Sequence, residues 1–411
     1  MTEPERLFTL DEFLLKMQIS QKYTRVIYLD FRRDNETQPF RFKTIKFLYV
    51  AISLMVIDCI CNIMKIIIEI SSNRLSEAKQ IGAVFSIEFL CLVRGVSVLA
   101  KYNRILDLTN CLDKIFPRNL ELQRRMNIMK LVRYLAIRHR ILHVYAIVGL
   151  TAFIGLPLLK YLVFYDRSSG LPLLDEYHQH ASWFPYQLKQ SNRAYPYMYV
   201  YETFITIFGI NCLFTWDHIY TVTVAQFVMH FDYINDQLEE LDAKKTLEDS
   251  SSKQFYSSLR DIVIYHQHIY ELGDKLRKTF NLSLFLTDIV SAASICFHIY
   301  LMANSDDILA IILFIFPCFV QVAFTFDNCY QGTRVAEASA RMQMALFEQN
   351  WYDGSLKYRK FFPMLVLFAN NSFTLSGFNL FSIDMVHFRG IMMIAYRLFT
   401  FLQTRGNKNF R

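Results

Sequence analysis

The chain is short of the residues that build nucleotide and metal sites. Its 12 glycines among 411 residues form no Gly-rich phosphate loop, and no nucleophile elbow or HExxH helix is present. No CxxC pair occurs, and no His/Cys group has metal-ligand spacing. There are eight cysteines, Cys59, Cys61, Cys91, Cys111, Cys212, Cys296, Cys318 and Cys329. All but Cys111 lie in or at the edge of apolar runs, and none falls in a loop assigned outside, which argues against a disulfide framework. The start, MTEPERLFTLDEFLLKMQIS, is charged throughout and unlike a cleavable signal peptide. No repeat of 20–50 residues is found. These absences point away from an enzyme and from a bound cofactor or metal. The formal charge of +7 is read as loop anchoring on anionic membrane lipids rather than nucleic-acid binding.

What is abundant is apolar. Hydrophobic residues make up 53% of the chain, and they gather in runs longer than the roughly 18 residues a spanning helix needs. Seven such runs predict an all-α membrane protein: Phe47–Ile68, Gln80–Leu99, Ile141–Phe164 with a kink at Pro157, Met198 to beyond Val228, Phe280–Met302, Leu309–Phe326 and Ile383–Leu402. Phe361–Phe368 is apolar but too short to cross. Ahead of the first run, Thr9-Leu10-Asp11-Glu12 reads as a capping box before Phe13, Leu14, Leu15 and Met17. It predicts a short amphipathic helix that lies at the interface or dips into the bundle. The Ser-rich stretch Asp242–Lys253 predicts a mobile turn between helices extending the fourth and fifth spans.

Lysine and arginine orient the bundle. The segments before Thr44 and over Arg104–Arg140, Phe231–Lys278 and Gln331–Phe381 hold 29 of them, against 8 in Glu69–Lys79, Asp166–Pro196, Ala303–Ile308 and the tail after Gln403. The first set is therefore expected in the cytoplasm, with the N-terminus inside and the C-terminus outside. A G-protein-coupled receptor has the opposite topology. Its Asp-Arg-Tyr after the third span and Asn-Pro-x-x-Tyr in the seventh are also missing.

Ionisable residues inside spans are costly and usually paired. If the first two spans form a hairpin, Asp58 lies at the depth of Arg94, and Lys65 at that of Glu88. Both pairs are expected, unless each residue faces water separately. His139 and His143, spaced i, i+4, read as interfacial histidines. The loop Asp166–Pro196, rich in Tyr and His, carries Trp183-Phe184-Pro185, which fits either an interfacial anchor or a lid over an external cavity. Aromatic and small residues recur at helical spacing in the outer halves of four helices. They are Phe85 and Phe89; Val148, Thr151 and Gly155; Tyr201, Phe204 and Phe208; and Ile312 and Phe316. Apolar walls with a few polar groups suit a small-molecule pocket, although the same spacing serves ordinary packing. Leu346, Phe347 and Trp351 sit in a mostly polar segment, which marks a packing or partner surface.

The final third carries a resemblance. Cys329-Tyr330-Gln331-Gly332 closes the sixth span, followed by Ser339, Ala345-Leu346-Phe347, Trp351 and Arg359-Lys360. Ser376-Gly377-Phe378 then leads to a last span ending Ala395-Tyr396-Arg397-Leu398-Phe399-Thr400-Phe401-Leu402. Order and spacing resemble the insect odorant receptors. The gustatory-receptor ending, Thr-Tyr, five apolar residues, then Gln-Phe, is not met. The resemblance implies an odorant-gated cation channel of four subunits, with a pore lined by the last helix. The short Phe231–Lys278 loop makes this chain similar to the odorant-specific subunit, which binds a small volatile hydrophobic ligand and works with coreceptor subunits. The implied regions are a cytoplasmic N-terminus over 1–45, a six-helix bundle with the pocket over 46–330, a cytosolic anchor over 331–377, and the pore helix with an external tail over 378–411. The anchor would hold Leu346, Phe347 and Trp351. Ile394, Leu398 and Phe401 would line the pore, with Phe401 at the closed gate, where a bulky apolar group blocks ions by dewetting. Arg397 departs from the family habit, since a cation in a cation pore opposes conduction.

Overall fold

The structure is a computed structural model that describes residues 7–15, 35, 37–39, 45–164, 178–180, 182–184, 193–305 and 308–408. Met17 and Pro185 lie outside these residues, as do the side chains of Phe13, Leu15 and Ile312. The chain forms seven membrane-spanning helices and a small helical cluster at one end. The elements are α1 (Leu10–Leu15), α2 (Ile45–Ser71), α3 (Leu75–Ala100), α4 (Tyr102–Ile115), α5 (Leu120–Arg125), α6 (Ile128–Phe164), α7 (Tyr195–Glu239), α8 (Asp249–Ala303), α9 (Ile308–Glu348), α10 (Leu356–Ala369) and α11 (Met385–Lys408). The spans are α2, α3, α6, α7, α8, α9 and α11. Among the described residues, all but α9 meet a length and hydropathy criterion for crossing.

Three helices run far past a bilayer. The 55 residues of α8 make a rod of about 80 Å, against a hydrocarbon core of about 30 Å. The surplus of α7, α8 and α9 gathers with α4, α5 and α10 at what is here termed the anchor end. The opposite, distal end holds the α2–α3 turn and residues 178–180 and 182–184.

Helix α2 shows how burial is divided. Leu48, Ala51, Ile52, Met55, Cys59 and Asn62 form one buried stripe, while Val56, Ile60, Ile63 and Ile67 face outward. Outward apolar residues on such a helix suit lipid tails. The α2–α3 turn passes through Asn73 in a left-handed conformation, φ 59°, and Arg74 Nε lies 2.7 Å from Glu69 Oε2. The bundle is built around α7, which packs against α9, α3, α8, α6 and α2. From Cys212 to Phe231 every residue of it is buried, so its polar groups find partners inside. Trp216 Nε1 donates to Ser283 Oγ at 3.2 Å, and Thr223 returns its hydroxyl to the Ile219 carbonyl at 2.7 Å. By contrast, only 6% of the α6 span is buried, so few packing contacts hold that helix.

One expectation from sequence is revised here, and one pair of alternatives is decided. The Asp242–Lys253 stretch is an ordered, capped turn: Asp242 Oδ1 accepts from Lys244 N at 3.0 Å, Ala243 and Thr246 are buried, and Thr246 Oγ1 accepts from Ser355 N at 2.7 Å. Its polar composition serves capping. Helix α1 dips into the bundle, with Phe8, Leu10 and Leu14 buried. Gln123 Nε2 donates to the Phe8 carbonyl at 2.6 Å, and Phe8 N donates to Gln123 Oε1 at 3.0 Å.

The segment between α10 and α11 makes a two-residue antiparallel pairing, β1 (Ser376–Gly377) with β2 (Phe381–Ser382). It is pinned by the motif residues of the sixth span. Ser339 Oγ accepts from Phe373 N at 2.8 Å, and Thr333 Oγ1 accepts from Met385 N at 3.0 Å. Gly332 lies so close to the Ile383 backbone that an added Cβ would collide with the Ile383 carbonyl oxygen. Asp384 caps α11 by accepting from His387 N at 2.8 Å. His387 Nε2 meets Asp288 Oδ2 on α8 at 3.0 Å.

Candidate functional site

At the distal end residues 178–180 and 182–184 turn inward. His178, Gln179, His180 and Ser182 are buried. The outer turns of α7 hold them: Gln179 N donates to Glu202 Oε2 at 3.0 Å, and Gln179 Nε2 donates to Thr203 Oγ1 at 2.6 Å. His178 Nδ1 also reaches Glu202 Oε2, at 3.1 Å. Trp183 N donates to the Cys61 carbonyl on α2 at 3.3 Å. Trp183 itself is half exposed, while Phe184 meets Tyr201 edge-on at 5.7 Å. His178, Gln179, His180 and Ser182 thus pack against the outer turns of α7 and against α2, with Trp183 at the rim.

The expected ligand-site residues fall into separate groups. Phe204 and Phe208 stack at 6.1 Å along α7, with Tyr201 one turn away donating to the Leu54 carbonyl at 3.4 Å. Phe208 is fully buried in the core. Phe85 and Phe89 stack at 5.7 Å on α3. Phe89, however, lines a crevice of about 260 Å³ between α3 and α8, with Leu282, Ser283 and Leu286, rather than the α7 side. Phe316 stacks on Tyr145 of α6 at 4.1 Å. Val148, Thr151 and Gly155 are exposed on the outer face of α6. The inward face is offset by one residue and carries Tyr145, Gly149 and Phe153, with Gly149 buried beneath Phe316. Because α6 is apolar all round, hydropathy alone does not tell these faces apart. A second crevice, about 410 Å³ and lined by Arg125, Tyr233, Asp236 and Glu240, lies at the anchor end.

Neither expected ion pair between α2 and α3 forms. The register of the hairpin differs from the expected one: Glu88 lies level with Cys59 and Asn62, and Gly95, next to Arg94, lies against Ile52. Lys65 reaches Glu69 on its own helix at 3.2 Å. Asp58 and Glu88 instead share Asn62, whose Nδ2 donates to Asp58 Oδ2 at 3.2 Å and Glu88 Oε2 at 2.7 Å. Arg94 is fully buried, its guanidinium 4.5 Å from the Trp216 ring and 5.2 Å from Phe324. Its three side-chain nitrogens have no hydrogen-bond partner among the described residues. Cation–π contacts supply its local stabilisation.

The strongest ion cluster was not anticipated from sequence. Arg138 of α6 donates from Nε to Asp327 Oδ1 at 3.0 Å and from Nη2 to Asp327 Oδ2 at 2.5 Å and Asp217 Oδ2 at 2.9 Å. One guanidinium thereby joins α6, α7 and α9. A lone Asp217 in an apolar run was the available signal, since an acid there calls for a basic partner. The rings of His139 and His143 lie 3.7 Å apart, tilted to one another, with His218 5.6 Å from His139.

On α11, Ala395 is buried with Ile295 of α8 and Cys318 of α9 and Ile391 is buried as well, while Ile394, Arg397, Leu398 and Phe401 are exposed. At the anchor end Phe347 is exposed, and Trp351 is half buried and stacked on Phe362 at 4.5 Å. Leu346 is fully buried in its own chain's core. It faces inward because it lies on the α9 stripe of Met342 and Ala345, so it is removed from the expected partner surface.

Comparison with known proteins agrees with this architecture. The 7tm Odorant receptor family matches residues 75–396. Odorant receptor 88a of Drosophila melanogaster is 28% identical over 403 residues, covering 98% of this chain and 99% of its own. Odorant receptor 67c of the same species is 22% identical, covering 98% of each. The solved structure of the insect olfactory receptor OR5 from Machilis hrabei in complex with eugenol superposes with a TM-score of 0.74 at 17% identity, over 96% of this chain and 97% of that one. The chain belongs to the insect 7tm Odorant receptor family, and is a seven-helix membrane receptor rather than an enzyme.

Proposed function

We propose that this protein is the odorant-selective subunit of a ligand-gated cation channel in the plasma membrane of sensory neurons, assembled as a tetramer with coreceptor subunits. The observation that carries this reading is α11. Only 11% of its spanning window is buried, and one face presents Ile394, Leu398 and Phe401 outward beside Arg397. A helix packed on one side only, with a cation on its open face, is supported better by a neighbour or a water-filled pore than by lipid. The loop charges, 29 against 8, support a cytoplasmic anchor end and an external distal end. Charge at the anchor end then faces the anionic leaflet, and residues 178–180 and 182–184, as a lid, face the odorant.

The ligand site is proposed beneath the lid, among Tyr201, Phe204, Phe85 and Phe316, with α6 contributing the Tyr145–Phe153 face. Apolar burial would supply most of the affinity, at about 0.8 kcal/mol per buried CH₂, and the Tyr201 hydroxyl the main directional contact. The partner surface at the anchor end is proposed on Phe347, Tyr352, Phe361 and Met364, all exposed, with Trp351 packed behind Phe347 and Phe362. The test is to express the chain with a coreceptor and record odorant-evoked current in excised patches without G protein or nucleotide. Current that requires added nucleotide would overturn the channel reading.

A further inference from the structure

Beneath the lid, two buried carboxylates face a histidine. Asp58 on α2 is 0% exposed, Glu88 on α3 is 6% and His180 is 4%. One ligand atom from each lies within 4.8 Å of the others. Both amide hydrogens of Asn62 are spent on the carboxylates, and its buried Oδ1 has no hydrogen-bond partner among the described residues. Cys59 Sγ lies 3.6 Å from Glu88 Oε1.

The histidine is held in a particular way. His180 Nε2 lies 2.9 Å from Thr206 Oγ1. The Thr206 hydroxyl is itself aimed at the Glu202 carbonyl at 2.9 Å. In the tautomer protonated at Nε2, Thr206 accepts from Nε2–H and Nδ1 is left as the ligand atom; the tautomer protonated at Nδ1 would instead donate to Asp58. Nδ1 points at Asp58 Oδ2, 3.3 Å away. Two carboxylates and an imidazole nitrogen, beside the amide oxygen of Asn62, converge here within reach of one cation. Two buried carboxylates this close are costly unless a cation or a proton neutralises them.

We propose that Asp58, Glu88 and His180 bind a divalent transition-metal ion of the zinc class, tying the lid to α2 and α3. One nitrogen and two carboxylate oxygens suit zinc, which binds such donors at about 2.0–2.2 Å. They are too few and too mixed for calcium or magnesium. Tetrahedral donors at those bond lengths sit roughly 3.3–3.6 Å apart, so Asp58 and His180, at 3.3 Å, already fit, and the widest separation closes by about 1 Å around the ion. Thr206 orients the ring through its second nitrogen, as outer-shell partners do. Because Phe184 of the lid packs on Tyr201, the bound ion restrains the wall of the proposed odorant site. Metal binding itself does not depend on that functional reading.

The test uses purified full-length chain assembled with its coreceptor, stripped with chelator and titrated with cobalt(II) as a spectroscopic probe. The expected result is one equivalent bound per chain, with visible absorption of low-coordinate cobalt, displaced by zinc. His180→Gln and Glu88→Gln should each lose binding by more than tenfold. Thr206→Val, which leaves all three ligands in place, should weaken it about 10–100-fold. Variants that match wild type in gel filtration and yet bind cobalt equally would overturn the site, as would the absence of saturable absorption in wild type. Should zinc have no effect while His180→Gln removes a dependence of the odorant response on external pH, a proton occupies the position and the metal assignment fails. If binding is lost as expected but no channel current is found, only the channel reading falls.

Discussion

Replacing Arg138 with methionine gives the sharpest test of how the bundle is held. The side chain is 10% exposed and its partners Asp217 and Asp327 are 2% and 17% exposed. Three charge-assisted hydrogen bonds disappear together in the variant, and two carboxylates remain facing one another. Breaking a buried ion pair by removing one partner costs about 3–5 kcal/mol. Here the upper part of that range is expected, because α6 has little other packing to retain it. Extrapolated to a chain this long, that is an apparent melting shift of roughly 5 °C. It is read by heating detergent-solubilised protein and following the monodisperse peak in gel filtration. Arg138→Lys keeps the charge but loses the fork that serves both acids, so it should fall between wild type and methionine. The decisive comparison adds Asp217→Asn and Asp327→Asn to Arg138→Met. If the penalty is stranded charge, the triple variant regains most of the lost stability. A single variant as stable as wild type, or a triple variant no better than the single, would refute the reasoning.

Other expectations follow from the same geometry. Tyr201→Ala should shift the ranking of active odorants while leaving coreceptor-driven current intact; unchanged dose–response curves across a panel would remove Tyr201 from the site. Phe401→Ser should raise basal current without ligand in channels shown at the surface by biotinylation, and unaltered leak would dismiss Phe401 as the gate. Phe347→Ala should reduce tetramer recovered from the membrane with little loss of chain stability. Leu346→Ala, by opening a core cavity, should instead destabilise the chain itself by about 2–5 kcal/mol, visible as reduced total protein. Asn35, in a sequon and exposed, should carry no glycan in protein from secretory cells, and a glycan there would reverse the orientation.

The seven spans were legible because each is a long apolar run, and runs need no knowledge of neighbours. Facing was harder to read. In α6 the stripe Val148, Thr151, Gly155 and the stripe Tyr145, Gly149, Phe153 are both apolar, and only packing tells which turns inward. Matching Asp58 with Arg94 and Lys65 with Glu88 by depth missed the register of the hairpin, which sets Glu88 level with Cys59 and Asn62, sends Arg94 to Trp216 and leaves the acids to Asn62 and His180. Leu346 was separated from Phe347 by facing, since adjacent residues on a helix point about 100° apart. Arg138 with Asp217 and Asp327 joins positions 79 and 189 residues apart, and no local pattern announces such a meeting.

Gly332 gives the link between the sixth helix and the last one a mechanical character. The helix surface there is bare backbone, and the Ile383 carbonyl rests directly on it. Side chains at such a crossing would interlock like teeth and permit only stepwise moves. Thr333 holds Met385, and His387 ties the same turn of α11 to Asp288 of α8, so the base of the last helix is fixed at a crossing where no side chain separates the backbones. A methyl group at residue 332 would act there as a shim that pushes the start of the last helix away from the sixth.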